Sequence, residues 1–192
     1  MPASDPGVDE APASGLGSPD NTHGGRTLVL LRHAKAERGD WGLDKDRVLS
    51  GRGRAQSAAV GRDLAAQGFL PDVALVSSAR RTKQTFNVVA ANADWDLQAE
   101  SLDDLYHAWI EEVIELVRQV DPAANSVLVV GHQPTMSATA AALAGGTSRP
   151  DALARLGSGL PTAGRAVLQV DRPWAELTPA SAALIAVVTP LA

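Results

Sequence analysis

Three short, continuously apolar segments limit the folds open to this chain more than any other feature of its sequence. They read LVLL at 28–31, VALV at 73–76 and VLVV at 127–130. A run of this kind is typical of a strand that is covered on both faces, as in a parallel sheet. Segments of helical character separate the three runs, and this alternation predicts an α/β fold. We therefore expect a three-layer α/β/α sandwich around a mostly parallel central sheet.

The segments between and after these runs predict the remaining elements. We expect helices at 51–67, 79–91, 107–120 and from 134 onward, and further strands at 166–170 and 182–188. In the first helix, roughly one side is predicted to carry the apolar residues Ala55, Ala58, Ala59, Leu64 and Ala65. The third is amphipathic, with four apolar residues at helical spacing: Trp109, Val113, Ile114 and Val117.

The length of the chain and the distribution of its charge predict its division into a tail and a domain. At 192 residues it is most simply one domain with a core of its own. The segment before Arg26 carries four acidic residues and no Lys or Arg, so it supplies most of the net charge of −5. It is also too poor in large apolar residues to offset the entropy of ordering it. We predict a disordered acidic tail at 1–25 and one domain at 26–192.

The composition excludes several classes of function. The chain has no Cys, so disulfides, thiolate nucleophiles and Cys-based zinc sites are ruled out. It has no basic block that would indicate a nucleic-acid partner. No apolar stretch approaches the roughly 20 residues of a membrane span, and the N-terminus lacks the pattern of a signal peptide. We therefore predict a cytoplasmic protein that binds neither nucleic acid nor membrane.

Basic side chains follow the predicted strands at the points where the strands end. Arg32 and His33 come after the first run, Arg80 and Arg81 lie just past the second, and His132 follows the third. In α/β sheets, ligands bind beyond the carboxyl ends of the strands. We therefore expect two imidazoles and two or three guanidiniums to meet at one edge of the sheet.

This set of side chains suits a phosphoryl group. A guanidinium pairs two phosphate oxygens through its planar fork and keeps its charge. A neutral imidazole nitrogen can attack phosphorus and so divide one displacement into two steps. Positioning and charge stabilisation are what phosphoryl transfer mainly requires, and fixed guanidiniums can supply both in place of a metal ion. We therefore predict a reaction that needs no metal and no cofactor.

Four ordered segments carry a resemblance to a known family. They are LVLLRHAKAE, DKDRVLSGRGRAQ at 44–56, VSSARRTKQT at 76–85 and VLVVGHQP at 127–134. With a C-terminal segment, LPTAGRAVLQV, they resemble the histidine phosphatase superfamily, specifically its SixA-type phosphohistidine phosphatase branch. The resemblance spans about residues 27–190. It implies a phosphoglycerate-mutase-like fold with little or no lid subdomain.

The resemblance also implies the roles of individual residues. His33 corresponds to the nucleophile that becomes phosphorylated, and Arg32 to a phosphate ligand. The family's second arginine lies four residues after a serine, which here selects Arg81. His132 corresponds to a second histidine that donates to phosphate oxygens. Arg47 is a further candidate for substrate binding, although an ion pair with a neighbouring acidic residue, Asp44 or Asp46, explains it equally well.

A general acid is harder to identify. Larger relatives supply a carboxyl group from the region that corresponds here to AESLDDLYHA, so Glu100, Asp103 and Asp104 are candidates, with Asp104 favoured. A phosphoramidate leaving group such as histidine is itself basic and needs little help from an acid.

The predicted function is hydrolysis of phosphohistidine, or of another phosphoprotein, through a phosphorylated His33, with inorganic phosphate as the product. A chain of this length has little left over for a lid, which favours a protruding protein side chain over a small enclosed substrate. Two alternatives stay open. One is a phosphatase for small phosphomonoesters or nucleotides; the other is an inactive module that binds phosphate or phosphoprotein.

Overall fold

The computed structural model of the protein describes residues 25–38 and 43–190. All of the predicted acidic tail except Gly25 therefore lies outside the described residues. The described residues form six strands and six helices: β1 (Arg26–Arg32), α1 (Gly51–Ala66), β2 (Val73–Ser77), α2 (Arg80–Ala93), β3 (Glu100–Leu102), α3 (Asp104–His107), α4 (Ile110–Arg118), β4 (Ser126–Gly131), α5 (Thr135–Leu143), α6 (Pro150–Leu156), β5 (Arg165–Val170) and β6 (Ala183–Val188).

The strands form one sheet in the order β3-β2-β4-β1-β5-β6. The pairs β2–β3, β2–β4 and β1–β4 are parallel, whereas β5 runs antiparallel to both of its neighbours. The prediction of a mostly parallel sheet is thus confirmed. The segment between α2 and β4 carries only β3, α3 and α4. Within the described ranges it forms no separate lid subdomain.

Helices cover both faces of the sheet, because successive strand residues point to opposite sides. In β1, Val29 and Leu31 belong to a buried cluster that includes Val60 and Phe86 of α1 and α2. Leu28 and Leu30 belong to a second cluster on the other face, which contains residues of α4, α5 and α6. The fold is the predicted three-layer sandwich. None of its described helices is long and apolar enough to cross a bilayer.

The predicted helix at 107–120 begins too early, and of its four predicted apolar positions Val113, Ile114 and Val117 are buried in α4 whereas Trp109 is not. The chain forms two helices there, α3 and α4, because Trp109 adopts an extended conformation between them and caps α4. The backbone N–H of Trp109 makes no helical hydrogen bond and donates instead to the Glu112 carboxylate at 3.0 Å. The Trp109 side chain therefore leaves the apolar periodicity of α4 and is 64% exposed. Strand β3 and helix α6 were not predicted.

Helix α1 buries only Leu64 of the five residues predicted to share one of its sides. Its buried residues are Gly53, Gln56, Ser57, Val60, Gly61 and Leu64 rather than the alanines. The reason is close approach between main chains. A Cβ on Gly61 would lie 2.4 Å from the carbonyl oxygen of Val89 in α2, and one on Gly53 would lie 2.0 Å from that of Lys35. Glycine lets α1 pack this closely against both segments.

Trp174 provides a test of the core. It is 1% exposed, and its indole N–H donates to the Ala124 carbonyl at 2.8 Å. We expect Trp174→Ala to lower the free energy of unfolding by about 3–5 kcal/mol, because it leaves a cavity and an unpaired carbonyl. Urea denaturation followed by circular dichroism measures this. The control, Trp109→Ala at the exposed site, should cost about 0.5 kcal/mol; equal losses would contradict this packing.

Candidate active site

The parallel pairing of three strands brings the predicted residues to one edge of the sheet. His33 follows β1 and His132 follows β4, and the two rings meet edge to face with centroids 5.3 Å apart. Arg81, in the first turn of α2, donates from Nη2 to His132 Nδ1 at 3.2 Å. Arg81 is 6% exposed, whereas its neighbour Arg80 is exposed to solvent. The structure therefore places Arg81, and not Arg80, beside the two histidines.

The ring of His33 is held in one tautomer. Its Nδ1 lies 2.8 Å from the carbonyl oxygen of Ala34, which only accepts, so Nδ1 carries the proton and Nε2 keeps its lone pair. Burial lowers the pKa of His33 to about 4, and the cationic side chains of Arg81 and Arg32 act in the same direction. At neutral pH the ring is uncharged, which is the form that attacks phosphorus.

His132 is fixed by two hydrogen bonds. Its Nδ1 accepts from Arg81, so Nε2 carries the proton and donates to the Ser77 hydroxyl at 2.8 Å. Burial, with the charge of Arg81 acting in the same direction, lowers the pKa of His132 to about 3. In this state the positive charge of the pocket comes from its guanidiniums, and the histidines are neutral.

Arg32 lies on the other side of His33. It donates from Nη1 to the Leu160 carbonyl at 2.7 Å, while its Nε is buried without a hydrogen-bond partner among the described residues. Its guanidinium lines a cleft of about 850 Å³ together with Gln133, Arg155 and the backbone around Gly159. Burial lowers the pKa of Arg32. The cleft thus opens at Arg32 and Gln133, the sequence neighbours of His33 and His132.

Arg47 forms the ion pair that was one of the two interpretations of this residue. Its Nη1 lies 3.0 Å from Asp44 Oδ1, and its Nε donates to the Glu37 carbonyl at 3.0 Å. Asp44 in turn contacts the site, because its Oδ2 accepts from Arg81 Nη2 at 2.9 Å. Arg47 is therefore linked to the pocket through a carboxylate and not by a contact of its own in the described residues.

Asp44 and Tyr106 are the residues of this site that the sequence did not reveal. The Tyr106 hydroxyl donates to Asp44 Oδ2 at 2.9 Å, and its ring lies edge-on to His132 with centroids 5.5 Å apart. The hydrogen bond from Arg47, with those from Tyr106 and Arg81, lowers the pKa of Asp44 to about 2. The one available signal was the spacing of Asp44, three residues before Arg47.

The three candidate acids lie outside this set of contacts. Asp103 is exposed and accepts from Lys45 and Ser78, and these hydrogen bonds lower its pKa. Glu100 is exposed on edge strand β3. Asp104 is exposed in the first turn of α3, and its carboxylate makes no hydrogen bond or ion pair with the residues at 25–38 and 43–190. The favoured acid, Asp104, is thus exposed and has no hydrogen-bond or ion-pair partner among the described residues.

No group of three or more His, Asp or Glu side chains in the described ranges is arranged to hold a metal ion. The polar groups at the strand ends are instead guanidiniums, imidazoles and one carboxylate. Donors of this kind suit a tetrahedral anion.

The low pKa values of His33 and His132 predict a specific loss of stability in acid. In the unfolded chain these groups bind protons from about pH 6.5 downward, whereas in the folded protein they do so only near pH 4 and 3. The unfolded state therefore binds more protons in this window, and the free energy of unfolding falls as the pH drops. Urea denaturation at about pH 7 and about pH 5 measures the fall.

The His33→Asn variant is the control for this prediction, since its side-chain amide can still donate to the Ala34 carbonyl but does not titrate. We expect the loss between the two pH values to be smaller in this variant than in the natural protein. An equal loss in both proteins would show that His33 does not have a depressed pKa.

Comparison with known proteins agrees with this geometry. The model of the Histidine phosphatase superfamily (branch 1) matches residues 28–107. The uncharacterized protein Rv1276c of Mycobacterium tuberculosis is 38% identical over 156 residues, which cover 81% of this chain and 96% of that protein.

Two solved structures, each described as a putative phosphohistidine phosphatase SixA, also match. The protein from Nakamurella multipartitia is 35% identical with a TM-score of 0.75, and the match covers 88% of this chain and 98% of that one. The protein from Agrobacterium tumefaciens is 32% identical with a TM-score of 0.72, and the match covers 86% and 98%.

Proposed function

Because this chain belongs to the histidine phosphatase superfamily and is similar to SixA-type structures over nearly their whole length, we propose that it hydrolyses phosphohistidine in proteins. One observation supports the proposal above the others. His33 is neutral, has a free lone pair on Nε2, and lies beside His132 and the buried cation Arg81. This is a nucleophile next to a charge that can hold a phosphoryl group.

The first step of the proposed reaction is attack by His33 Nε2 on phosphorus, in line with the bond that breaks. The Nε2–P bond forms while the P–N bond of the substrate breaks, and its electron pair leaves with the substrate imidazole, which carries a proton on its other ring nitrogen and so departs as a neutral ring. Arg32, Arg81 and His132 hold the three remaining phosphoryl oxygens and stabilise their charge.

In the second step, water attacks the phosphoryl group on His33. The P–O bond forms as the Nε2–P bond breaks, which restores the neutral imidazole and releases inorganic phosphate. Nearby anionic oxygens favour the protonated form of a histidine, so a bound phosphoryl group raises the pKa of His132. In our proposal His132 then becomes a donor to phosphate.

The shape of the site supports a protein substrate. The cleft beside Arg32 has a volume of about 850 Å³ and is lined by Arg155, Ser158 and Pro161 among others. No separate lid covers it within the described ranges. A phosphorylated histidine that protrudes from a protein can reach His33 while the flanking chain lies in the cleft. Arg47, at the opposite side near Asp44, is proposed as a second contact for the substrate.

The proposed intermediate can be trapped. Brief incubation with a phosphohistidine peptide, followed by mass spectrometry without acid, should add about 80 Da, one phosphoryl group, to His33. The adduct should form equally in EDTA, since the proposed reaction uses no metal ion. Binding of the peptide with no label on any histidine would favour the inactive binding module, and faster turnover of small phosphomonoesters would favour a metabolite phosphatase.

Arg81 and Arg80 provide a matched pair of variants for the same assay. Arg81→Ala should slow formation of the adduct by about 100- to 1,000-fold, because it removes a preorganised charge donor. Arg80→Ala removes the same charge from the exposed neighbour and should change the rate by less than about threefold. Similar rates in both variants would show that Arg81 does not hold the phosphoryl group.

Asp104 is proposed as the acid for substrates whose leaving group is a poor one. An alkyl phosphomonoester needs a proton on its leaving oxygen, whereas a phosphohistidine leaves on a nitrogen that is readily protonated. Asp104→Asn should therefore slow turnover of the ester by at least about tenfold and that of the peptide by less than about threefold. Unchanged ester turnover, with Asp103→Asn as the control, would remove Asp104 from the site.

A further inference from the structure

The buried cation of the pocket, Arg81, already has an anionic partner from its own chain. Its Nη1 donates to the main-chain carbonyl of Asp44 at 2.7 Å, and its Nη2 donates to Oδ2 of the same residue at 2.9 Å. A guanidinium binds a phosphate through the same two nitrogens. Asp44 therefore occupies two of the donors through which Arg81 could bind a phosphoryl group, while Nε of Arg81 is buried with no hydrogen-bond partner among the described residues.

Asp44 is held in this position by more than Arg81. Arg47 Nη1 pairs with Oδ1 at 3.0 Å, and the Tyr106 hydroxyl donates to Oδ2 at 2.9 Å. Three donors on the carboxylate are what a bound oxyanion would also have. The low pKa of Asp44 agrees with this, since the carboxylate is ionised at any neutral or mildly acidic pH.

The position of Asp44 also allows it to leave. Its side chain is 53% exposed, and the short 3-10 helix that carries it, Asp44–Asp46, contains no buried residue. Moving the carboxylate away from Arg81 exposes no apolar core and leaves Arg47 as a partner at the surface. The energetic cost is the ion pair with Arg81 and the hydrogen bond from Tyr106, which the contacts of a phosphoryl group replace.

We propose that Asp44 is a resident anion that competes with phosphate for Arg81. A phosphoryl group enters by displacing the carboxylate, and inorganic phosphate leaves as the carboxylate returns. The inference rests on the proposed function only in that the pocket binds a phosphoryl group. It predicts selectivity: a free phosphate must displace Asp44 through its own contacts alone, whereas a phosphoprotein also gains contacts in the cleft beside Arg32.

The test compares two variants of the same 3-10 helix. Asp44→Asn removes the competing charge and keeps the shape of the side chain. Asp46→Asn removes the same charge two residues away, where the carboxylate makes no ion pair or hydrogen bond with the described residues. Binding of inorganic phosphate and of orthovanadate is measured by titration calorimetry at neutral pH and fixed ionic strength. Thermal unfolding confirms that both variants are folded.

We expect Asp44→Asn to lower the dissociation constant of both anions by about tenfold or more, because a charge-assisted contact no longer has to be broken. Asp46→Asn should change it by less than about twofold. Unchanged or weaker binding in Asp44→Asn would show that the carboxylate orients Arg81 and does not compete. Equal tightening in both variants would mean a general charge effect and would also overturn the proposal.

The same titration separates this inference from the function on which it rests. If the natural protein and both variants bind neither phosphate nor orthovanadate, the proposed function fails and the competition fails with it. If the natural protein binds the anions and forms the His33 adduct, but Asp44→Asn binds no tighter, only the competition is wrong.

Discussion

The parallel pairing of β1 with β4 is the interaction on which the site depends. Its register sets Arg32 opposite Gly131, so His33 and His132 are the next residues at the same sheet edge. The His33 N–H donates to the Gly131 carbonyl at 3.0 Å and extends this ladder by one hydrogen bond. A slip of one residue would turn each side chain to the opposite face. The buried alternation of Leu28 and Val29 between two cores prevents such a slip.

The electrostatics of the site follow from the close packing of two histidines and two arginines at this edge of the sheet. Burial and the guanidiniums keep both histidines neutral, which leaves a lone pair on Nε2 of His33. The same crowding makes an empty pocket costly, because a buried guanidinium needs an anionic or polar partner. Arg81 finds one in Asp44, and Arg32 finds one in the Leu160 carbonyl. The close packing at the sheet edge therefore has two results: the His33 imidazole is neutral, and the guanidiniums of Arg81 and Arg32 are paired with groups of the protein itself.

The site has no separate lid subdomain over it within the described ranges, and this affects which substrates it can select. Between α2 and β4 the chain carries only β3, α3 and α4, and of these α3 supplies Tyr106 to the wall of the pocket. The cleft on the other side, next to Arg32, has room for an extended chain. A site without an enclosing subdomain depends on surface contacts for selectivity, and a resident carboxylate strengthens that dependence because it opposes anions that bring no such contacts.

Local patterns in the sequence were sufficient for the main elements and for the basic residues of the site. Continuous apolar runs marked the buried strands, and the strand-end rule led to Arg32, His33 and His132. Local patterns were insufficient where a neighbouring segment decides the outcome. The buried face of α1 depends on how closely Gly61 approaches α2, and Trp109 is exposed because a cap separates α3 from α4.

The amino-acid sequence alone determined the order of the main strands and helices, the family and the identity of the basic groups at the sheet edge. Only the tertiary structure decided which charges pair. Asp44 lies 37 residues from Arg81 and 62 from Tyr106 along the chain, and no local periodicity relates them. Their contact exists because the packed sheet brings separate loops together, and an ion pair depends on distance in space and not on distance in sequence.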